Sequence, residues 1–339
     1  MAKNKIVFFE TSGWQQEYLQ SKLKQYQPVF FDCNIDRKCL LKIKDATVLV
    51  VFVGSEVNRA TLKSLPRLKF ITTMSTGFDH IDLAACRQRG IPVTNVPYYG
   101  ENTVAEHAMA LLLSISRNIH KGYERTNRGQ FDFTGLMGFD LKDKTIGIIG
   151  TGHIGQHLIR MAKGFDMKVI AYDAFPNKAL AKESSFKYMG LTELLKQADI
   201  VSLHLPYLKA THHLLNAARF KIMKRGAVLI NTARGGLVDT KAMVQALQSG
   251  QLSAVGLDVL EDEKYIKEEV EMLSPKFKSE DMRTTIENHM LMHSDNAVIT
   301  PHMAFNSKEA IIRILDTTVG NIKSFIGSKS LANRVDLKK

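Results

Sequence analysis

The feature that most constrains this chain is a glycine-rich turn set between two apolar runs. The first run, at 145–149, leads into Gly-x-Gly-x-x-Gly at 150–155, and an amphipathic stretch then reaches a second run at 167–172. Asp173 closes the second run. The order of strand, glycine turn, helix, strand and terminal acid predicts a dinucleotide-binding βαβ unit.

Each residue of this motif has a physical task. Gly150 permits a tight turn, Gly152 lets the backbone approach a pyrophosphate, and Gly155 allows the helix to pack closely on the strand. The helix N-terminus supplies unpaired N–H groups and the positive end of its dipole. Asp173 can accept hydrogen bonds from both ribose hydroxyls and would repel a 2′-phosphate, so the predicted cofactor is NAD rather than NADP. The motif alone also occurs in ordinary turns, but the strands, helix and acid around it favour a cofactor site.

The spacing of apolar runs predicts an α/β fold with two doubly wound parallel sheets. Before residue 101, short apolar runs alternate with amphipathic stretches, which is typical of a parallel sheet. These runs lie at 5–9, 28–31, 46–53, 68–73 and 91–95. From residue 145 the rhythm repeats, with strands expected at 168–172, 200–203, 227–231, 254–258 and 297–299.

Three further segments organise the chain. Residues 102–120 are predicted to form one long apolar helix that leads into the second domain. Residues 308–326 have helical periodicity, and no predicted strand follows them. We therefore expect this helix to cross back onto the first domain. Residues 264–296 are interpreted as an irregular excursion with some helix.

Composition excludes several classes of protein. The net charge is +12, but its Lys and Arg residues are scattered, which indicates a solvated basic surface and no nucleic-acid partner. The three cysteines lack metal-type spacing and are interpreted as buried thiols of a reducing compartment. His289 and His293 lack the Glu of a zinc motif, so no metal is expected. No apolar stretch is long enough to cross a membrane, and we expect a cytoplasmic protein without a membrane partner.

Polar residues with catalytic potential follow three of the predicted strands. Arg234 comes after the apolar run 228–231, Glu261 and Glu263 follow the next strand, and His302 follows the last. Ligands of open α/β sheets bind at the carboxyl ends of strands, where a guanidinium can hold a carboxylate in bidentate fashion. A histidine beside a carboxylate is stabilised in its charged form, so it can act as a general acid near neutrality. Taken singly, a surface arginine and a capping histidine are the ordinary interpretations.

Four motifs together resemble the D-isomer-specific 2-hydroxyacid dehydrogenases, in family order and over nearly the whole chain. They are Gly-Thr-Gly-His-Ile-Gly at 150–155, Asn-Thr-Ala-Arg-Gly at 231–235, Gly-Leu-Asp-Val-Leu-Glu at 256–261 and Thr-Pro-His at 300–302. The resemblance implies a Rossmann NAD-binding domain inserted into a discontinuous, flavodoxin-like substrate domain. The expected limits are 1–101 and 300–339 for the substrate domain and 102–299 for the NAD-binding domain.

The resemblance also implies roles for individual residues. The catalytic set would be Arg234, Glu263 and His302. Contacts to NAD would come from Gly150, Gly152, His153, Ile154, Gly155, Asp173, Leu205, Pro206, Thr211, Thr232, Ala233, Arg234 and Asp258. Substrate contacts would come from Thr76, Gly77, Tyr99, Arg234 and Phe305. Among the other histidines, His107 is interpreted as a core or interface residue, and His212 and His213 as residues of a polar loop.

One departure from the family pattern concerns the catalytic carboxylate. Many members carry a proline after this glutamate, whereas here Lys264 follows Glu263. Glu261 is therefore a rival for the position beside His302, although the offset from Asp258 favours Glu263. With Asn-Val-Pro-Tyr-Tyr at 95–99 and Pro-His-Met-Ala-Phe at 301–305, the chain is most similar to the D-lactate dehydrogenase branch.

This similarity implies reduction of pyruvate to D-lactate with NADH. Arg234 would bind the carboxylate of the 2-oxo acid, and His302, kept protonated by Glu263, would donate a proton as hydride reaches C2. A bulkier D-2-hydroxy acid, such as 2-hydroxyisocaproate, phenyllactate or 2-hydroxyglutarate, is the alternative, which Tyr99 and Phe305 would disfavour by crowding. A second alternative is an NAD-sensing binding protein similar to the C-terminal-binding corepressors. The family resemblance also implies a homodimer, with 102–120 as a contact.

Overall fold

The structure, a computed structural model, describes residues 4–263 and 279–335. Its helices and strands divide into two compact units. The first comprises Met1–Tyr99 and Ser307–Lys339, and the second Gly100–Asn306. Each unit contains one parallel sheet, so the predicted pair of parallel-sheet α/β domains is confirmed.

The sheet of the first unit has five parallel strands in the order β2-β1-β3-β4-β5. This is the flavodoxin-like order. The strands are β1 (Ile6–Phe8), β2 (Val29–Phe30), β3 (Val48–Val51), β4 (Phe70–Thr73) and β5 (Val93–Thr94). The helices between them are α1 (Trp14–Leu23), α2 (Arg37–Lys42), α3 (Arg59–Ser64) and α4 (Leu83–Gln88), with a 3-10 turn at Lys24–Tyr26.

The sheet of the second unit has seven parallel strands. They are β6 (Thr145–Ile149), β7 (Lys168–Tyr172), β8 (Lys187–Tyr188), β9 (Ile200–Leu203), β10 (Ala227–Asn231), β11 (Leu252–Leu257) and β12 (Ala297–Ile299). Their order is β12-β11-β10-β9-β6-β7-β8, which is the Rossmann order with one added edge strand. The strand order changes direction between β6 and β9: β7 and β8 lie on one side of β6, and β9 to β12 lie on the other. At this point Ile149 of β6 pairs with Leu203 of β9. Such a switch point is where open sheets of this kind bind ligands.

Helices cover both faces of this second sheet. They are α5 (Glu101–Ser116), α6 (Ile119–Asn127), α7 (His153–Gly164), α8 (Lys178–Glu183), α9 (Leu191–Gln197), α10 (Ala217–Ile222), α11 (Thr240–Gln248) and α12 (Ser279–Met292). One core, on the side of α5 and α7, includes Leu112, Ile148 and Leu158, while the other, on the side of α9 to α11, includes Leu195, Leu229 and Met243. Burial on both faces explains why the strand sequences are continuously apolar.

The last helix, α13 (Lys308–Ile326), belongs to the first unit. Phe325 stacks on Phe70 of β4 with ring centroids 4.5 Å apart. Asn321, which is 6% exposed, donates to the Asn95 carbonyl at 3.0 Å. The helix thus packs against the sheet formed by the N-terminal part of the chain.

Two expectations from the sequence were wrong. The single helix predicted at 102–120 is two helices, because Asn118 adopts a left-handed backbone conformation with φ 50° between α5 and α6. The thiols were all expected to be buried, but Cys33 lies exposed in the loop after β2, and only Cys39 and Cys86 are buried. Of the excursion expected at 264–296, residues 264–278 lie outside the described residues, and the remainder contains α12.

The described residues contain neither a membrane-spanning helix nor a cluster of metal-binding side chains. None of their helices combines the length and apolar character that a membrane span requires. Nor do residues 4–263 and 279–335 contain a group of three or more His, Cys, Asp or Glu side chains placed to hold a metal ion.

Candidate active site

The glycine turn at the end of β6 is shaped by two close backbone approaches. Gly150 has φ 98°, and a Cβ there would lie 2.5 Å from the His204 carbonyl oxygen, so only glycine fits. A Cβ on Gly155 would lie 2.1 Å from the Gly150 carbonyl oxygen. Gly152 differs, because a Cβ there would have no neighbour within 4 Å. The open side of the turn is therefore at Gly152, where α7 begins.

The first residues of α7 are suited to an anion. Gly152 is the N-cap and no side chain caps the helix, so the positive end of the helix dipole lies at the open side of the turn. His153 is exposed, with its Nδ1 3.7 Å from a carboxylate oxygen of Glu101. Ile154 is partly buried against the core on the α5 side. The predicted pyrophosphate position thus combines a helix N-terminus that no side chain caps with open space.

Asp173 follows β7 and fastens the glycine turn. Its Oδ2 accepts from the Thr151 N–H at 2.7 Å and from the Thr151 hydroxyl at 2.9 Å, while Oδ1 accepts from the Phe175 N–H at 2.9 Å. Burial opposes ionisation of this carboxyl, but the hydrogen bonds from Thr151 and Phe175 outweigh it and lower its pKa below 3.8. Asp173 is therefore an anion beside the turn, where it can accept from ribose hydroxyls and repel a phosphate.

The loop after β9 lies against the same turn. His204 makes a 2.9 Å hydrogen bond to the Ser202 hydroxyl through Nε2, and burial lowers its pKa to about 4, so its ring is neutral. Leu205 is partly buried against the core on the α9 side. The Thr211 hydroxyl accepts from the Leu208 N–H and donates to the Pro206 carbonyl, both at 2.8 Å. These bonds close the loop that carries the predicted NAD contacts Leu205, Pro206 and Thr211.

The turn after β10 presents Arg234. The buried side chain of Asn231 spans this turn, accepting from the Ala233 N–H and donating to the Arg234 carbonyl, both at 3.0 Å. Arg234 is exposed. The Thr232 side chain is only 8% exposed, and its hydroxyl has no partner among the described residues. A buried hydroxyl without a partner is costly, so Thr232 is suited to a bound ligand.

His302 lies in the loop after β12, beside Glu263. Its Nδ1 is 2.6 Å from the Glu263 Oε1, and about a third of each side chain is exposed. The His302 backbone is left-handed, with φ 52°. Such a conformation costs of order 1 kcal/mol and persists only where the surroundings fix it. Here the His302 N–H donates to the Asp258 carbonyl at 2.8 Å.

Asp258 organises the loop that holds His302. Its side chain is 1% exposed and accepts from the Thr300 hydroxyl at 2.6 Å and from the N–H groups of Met303 and Ala304 at 2.9 and 2.8 Å. Burial opposes ionisation of Asp258, but contacts with His107, Thr300 and this backbone outweigh it, so its pKa lies below 3.8. The buried anion thus holds the residues on both sides of His302.

His107 was not predicted to take part in this site. Its Nε2 lies 2.9 Å from the Thr300 hydroxyl and 3.4 Å from the Asp258 Oδ1. The partners are more than 150 residues away in the chain, so no local pattern indicates the contact. The available signal is a partly buried histidine in a largely apolar stretch of α5.

Glu261, the rival to Glu263, contacts a different histidine. Its Oε1 lies 2.6 Å from Nε2 of His213, and its Oε2 accepts from the Thr240 hydroxyl at 2.8 Å. Asp262 lies between the two glutamates with φ 52°. Of the two carboxylates, Glu263 is the one that meets His302.

The predicted substrate residues divide between the two units. Thr76, Gly77 and Tyr99 belong to the first unit, and Phe305 belongs to the second. The Thr76 hydroxyl donates to the Val96 carbonyl at 2.9 Å, so the segments after β4 and β5 are joined there. Gly77 accepts from the Ser75 hydroxyl, and Tyr99 accepts from Arg313 of α13, both through their carbonyls and both at 2.6 Å.

Arg234, Glu263 and His302 all belong to the second unit. They follow β10, β11 and β12, three neighbouring strands, at the same carboxyl edge of the sheet. This edge therefore offers a cation for a carboxylate and a histidine–carboxylate pair for proton transfer. The open side at Gly152, the uncapped start of α7, the anion at Asp173 and the unpartnered hydroxyl of Thr232 fit a dinucleotide cofactor.

Known proteins share this architecture. The profile described as "D-isomer specific 2-hydroxyacid dehydrogenase, NAD binding domain" matches residues 109–304, which lie within the second unit. The D-lactate dehydrogenase of Escherichia coli strain K12 is 33% identical over 335 residues, which cover 98% of this chain and 99% of that enzyme.

Solved structures agree with this match. The D-lactate dehydrogenase from Aquifex aeolicus complexed with NAD and lactic acid is 34% identical, with a TM-score of 0.84, and the alignment covers 99% of this chain and 100% of that one. The structure of D-2-hydroxyisocaproate dehydrogenase is 30% identical with a TM-score of 0.83, and the alignment covers 98% of this chain and 99% of that one.

Proposed function

Because this chain belongs to the D-isomer-specific 2-hydroxyacid dehydrogenase family and is an oxidoreductase that uses NAD, we propose that it reduces pyruvate to D-lactate with NADH. The observation that carries the proposal is the 2.6 Å contact between His302 and Glu263 at the sheet edge that also presents Arg234. The choice of pyruvate is supported by the similarity to two D-lactate dehydrogenases, one of them solved with lactic acid.

Arg234 binds the carboxylate of the substrate. A planar guanidinium can donate two parallel hydrogen bonds to a carboxylate, which fixes the plane of the 2-oxo acid. Asn231 holds the Arg234 carbonyl and the Ala233 N–H, so the turn presents the side chain from a fixed backbone. NADH, when bound, supplies the hydride that adds to C2.

His302 supplies the proton. Because its Nδ1 faces Glu263, its Nε2 is the nitrogen that can face the carbonyl oxygen at C2. The carboxylate stabilises the charged imidazole before reaction, and Nε2 then gives its proton to the oxygen on which negative charge develops. In the reverse direction the neutral ring accepts the proton of the hydroxyl group.

The two units take different parts in this proposal. The second unit, which the family profile matches, binds the cofactor and carries the proton donor. The first unit, with Thr76, Gly77 and Tyr99, forms the substrate domain, close to the predicted limits 1–101 and 300–339. We also propose that the protein is a cytoplasmic homodimer, which sedimentation and fractionation would test.

A bulkier 2-oxo acid is the second candidate substrate. It is favoured by the similarity of the whole chain to D-2-hydroxyisocaproate dehydrogenase. The chemistry at C2 would be the same for both substrates. One methylene changes binding in an apolar pocket by only about 1–3 kcal/mol, so the two candidates must be separated by measurement.

The test is NADH oxidation with pyruvate, 2-oxoisocaproate, phenylpyruvate and 2-oxoglutarate, followed by chiral analysis of each product. His302→Ala is measured beside the wild type, and His289→Ala, which removes an exposed histidine of α12, is the matched control. We expect the highest kcat/KM with pyruvate, a D-lactate product, a nearly inactive His302→Ala and an unchanged His289→Ala.

Other outcomes would revise the proposal. Preference for a bulkier acid would keep the mechanism and overturn the choice of pyruvate. Full activity of His302→Ala would overturn the assignment of the proton donor. Binding of NADH without turnover of any oxo acid would favour an NAD-sensing binding protein instead.

A further inference from the structure

Two of the three cysteines lie side by side in the first unit. The sulfur atoms of Cys33 and Cys39 are 3.7 Å apart, which is van der Waals contact between two thiols. Cys86, on α4, is only 1% exposed and serves as an internal reference for an isolated buried thiol. The contact is a property of the fold, since the two cysteines belong to different elements.

Main-chain hydrogen bonds hold both cysteines in place. Cys33 lies in the loop after β2, where its carbonyl accepts from the Glu10 N–H at 3.2 Å. Cys39 lies in α2, and its N–H donates to the side chain of the N-cap residue Asp36 at 2.6 Å. Because both backbones are anchored, the two sulfurs stay within reach of one another.

The two thiols differ in their access to solvent, and burial affects the Cys39 thiol. Cys33 is exposed, whereas Cys39 is 8% exposed. Burial, together with the neighbouring Asp36 and Cys33, raises the pKa of the Cys39 thiol to about 12. Since the thiolate is the reactive form and access controls oxidation, an oxidant in solution meets Cys33 first.

We propose that Cys33 and Cys39 form a dithiol that hydrogen peroxide oxidises to an intramolecular disulfide. The Cys33 thiolate attacks the O–O bond of the peroxide, which gives a Cys33 sulfenic acid and one molecule of water. The Cys39 sulfur then attacks the Cys33 sulfur as its proton passes to the sulfenic acid hydroxyl; the S–S bond forms, the S–O bond breaks, and a second water leaves. Two thiols are oxidised and one peroxide is reduced, and the proposal is independent of the dehydrogenase activity.

The second step needs only a small movement. A disulfide requires the sulfurs to approach to about 2.05 Å, which a change in the exposed Cys33 side chain can supply. The reaction is also intramolecular, so a neighbouring thiol at fixed position competes well against further oxidation of the sulfenic acid. These two conditions distinguish the pair from an isolated exposed cysteine.

The sequence between the cysteines allows a direct test. Arg37 and Lys38 lie between Cys33 and Cys39, so trypsin cuts the chain there. After treatment of the full, reduced protein with hydrogen peroxide, free thiols are blocked by alkylation under denaturing conditions, and the protein is digested without reductant. A Cys33–Cys39 disulfide then holds two tryptic peptides together as one species, which reduction separates. We expect this species to increase with peroxide while Cys86 remains alkylated.

Two variants complete the test. Cys33→Ser should abolish the linked species, and Cys39→Ser should leave a Cys33 sulfenic acid that dimedone labels. Alkylation of both thiols in the peroxide-treated wild type would overturn the proposal. So would sulfinic acid at Cys33 without a link to Cys39, or a link between the Cys33 residues of two chains.

Discussion

Two histidine–glutamate pairs lie at the same sheet edge, but their carboxylates have different surroundings. In each pair an imidazole nitrogen lies 2.6 Å from a carboxylate oxygen: His302 Nδ1 at Glu263, and His213 Nε2 at Glu261. Glu261 also accepts from the Thr240 hydroxyl at the start of α11, and its side chain is 16% exposed. The Glu263 side chain is 30% exposed.

The two histidines also have different surroundings. The ring of His213 stacks on the ring of His212, with centroids 3.8 Å apart. Both histidines have a left-handed backbone, with φ 48° and 52°, but the segment of His302 is held by the buried Asp258, which accepts from the Met303 N–H. A short contact between a histidine and a carboxylate therefore does not by itself define a role. Because of the bonds around each pair, His213–Glu261 is a structural contact between loops, whereas His302–Glu263 is suited to proton transfer.

The largest expected effect is that of His302→Ala on catalysis. We expect kcat/KM for the preferred 2-oxo acid to fall by about two to four orders of magnitude, because a positioned proton donor typically accelerates a reaction by that factor. NADH affinity, measured by fluorescence titration, should not change. His213→Ala is the matched variant, and an equal loss of kcat/KM there would remove the distinction between the pairs.

Glu263→Gln should have the next largest effect. An amide removes the charge-assisted contact that holds the ring, so we expect kcat/KM to fall by about one to two orders of magnitude, less than the loss of the proton donor itself. Steady-state kinetics of NADH oxidation measure this loss. Glu261→Gln is the control and should keep the wild-type kcat/KM. An equal loss in the control, or no loss in Glu263→Gln, would contradict the roles given to the two carboxylates.

Asp258→Asn tests the anchor of the His302 loop. An amide cannot accept from all the donors that surround Asp258, so we expect a loss of about 1–3 kcal/mol in the free energy of unfolding. The pKa of Asp258 is below 3.8 in the folded protein, so its stabilising effect is present above that pH and is lost as pH falls through the folded pKa. Urea unfolding should therefore show a difference between wild type and variant that is largest at neutral pH. A difference independent of pH would refute this explanation.

Glu261→Gln should have the smallest effect. It weakens the contacts to His213 and Thr240, and we expect it to lower the free energy of unfolding by about 0.5–1.5 kcal/mol. Thermal unfolding of the apoprotein measures this, with Glu193→Gln, an exposed carboxylate on α9, as the control. Unchanged stability together with reduced kcat would mean that Glu261 takes part in the reaction and not only in the contact between loops.

Much of this architecture could be predicted from the sequence, because it depends on local patterns. The spacing of Gly150, Gly152 and Gly155 with Asp173 predicts the first βαβ unit, and the apolar runs predict both parallel sheets. The break in the helix predicted at 102–120 could not be foreseen. Asn118 adopts its left-handed conformation without a proline or glycine to indicate it.

The candidate site shows the same division. That Arg234 and His302 follow strands which end at the same edge of the sheet can be predicted from the apolar runs, whereas the choice of Glu261 or Glu263 as the partner of His302 cannot. Residues two apart in an extended segment face the same side, which would bring both glutamates to one histidine. The left-handed Asp262 between them breaks that alternation. Such a backbone reversal depends on contacts made only in the folded chain.

The bonds between Asp173 and Thr151 have a consequence for redesign of coenzyme preference. The carboxylate that would reject a 2′-phosphate also holds the Thr151 N–H and hydroxyl, at 2.7 and 2.9 Å. An engineer who removes Asp173 to admit NADP therefore also releases the turn that must bind the pyrophosphate. A successful exchange needs a neutral acceptor at 173, so that selectivity for the ribose changes while the scaffold beneath the diphosphate is preserved.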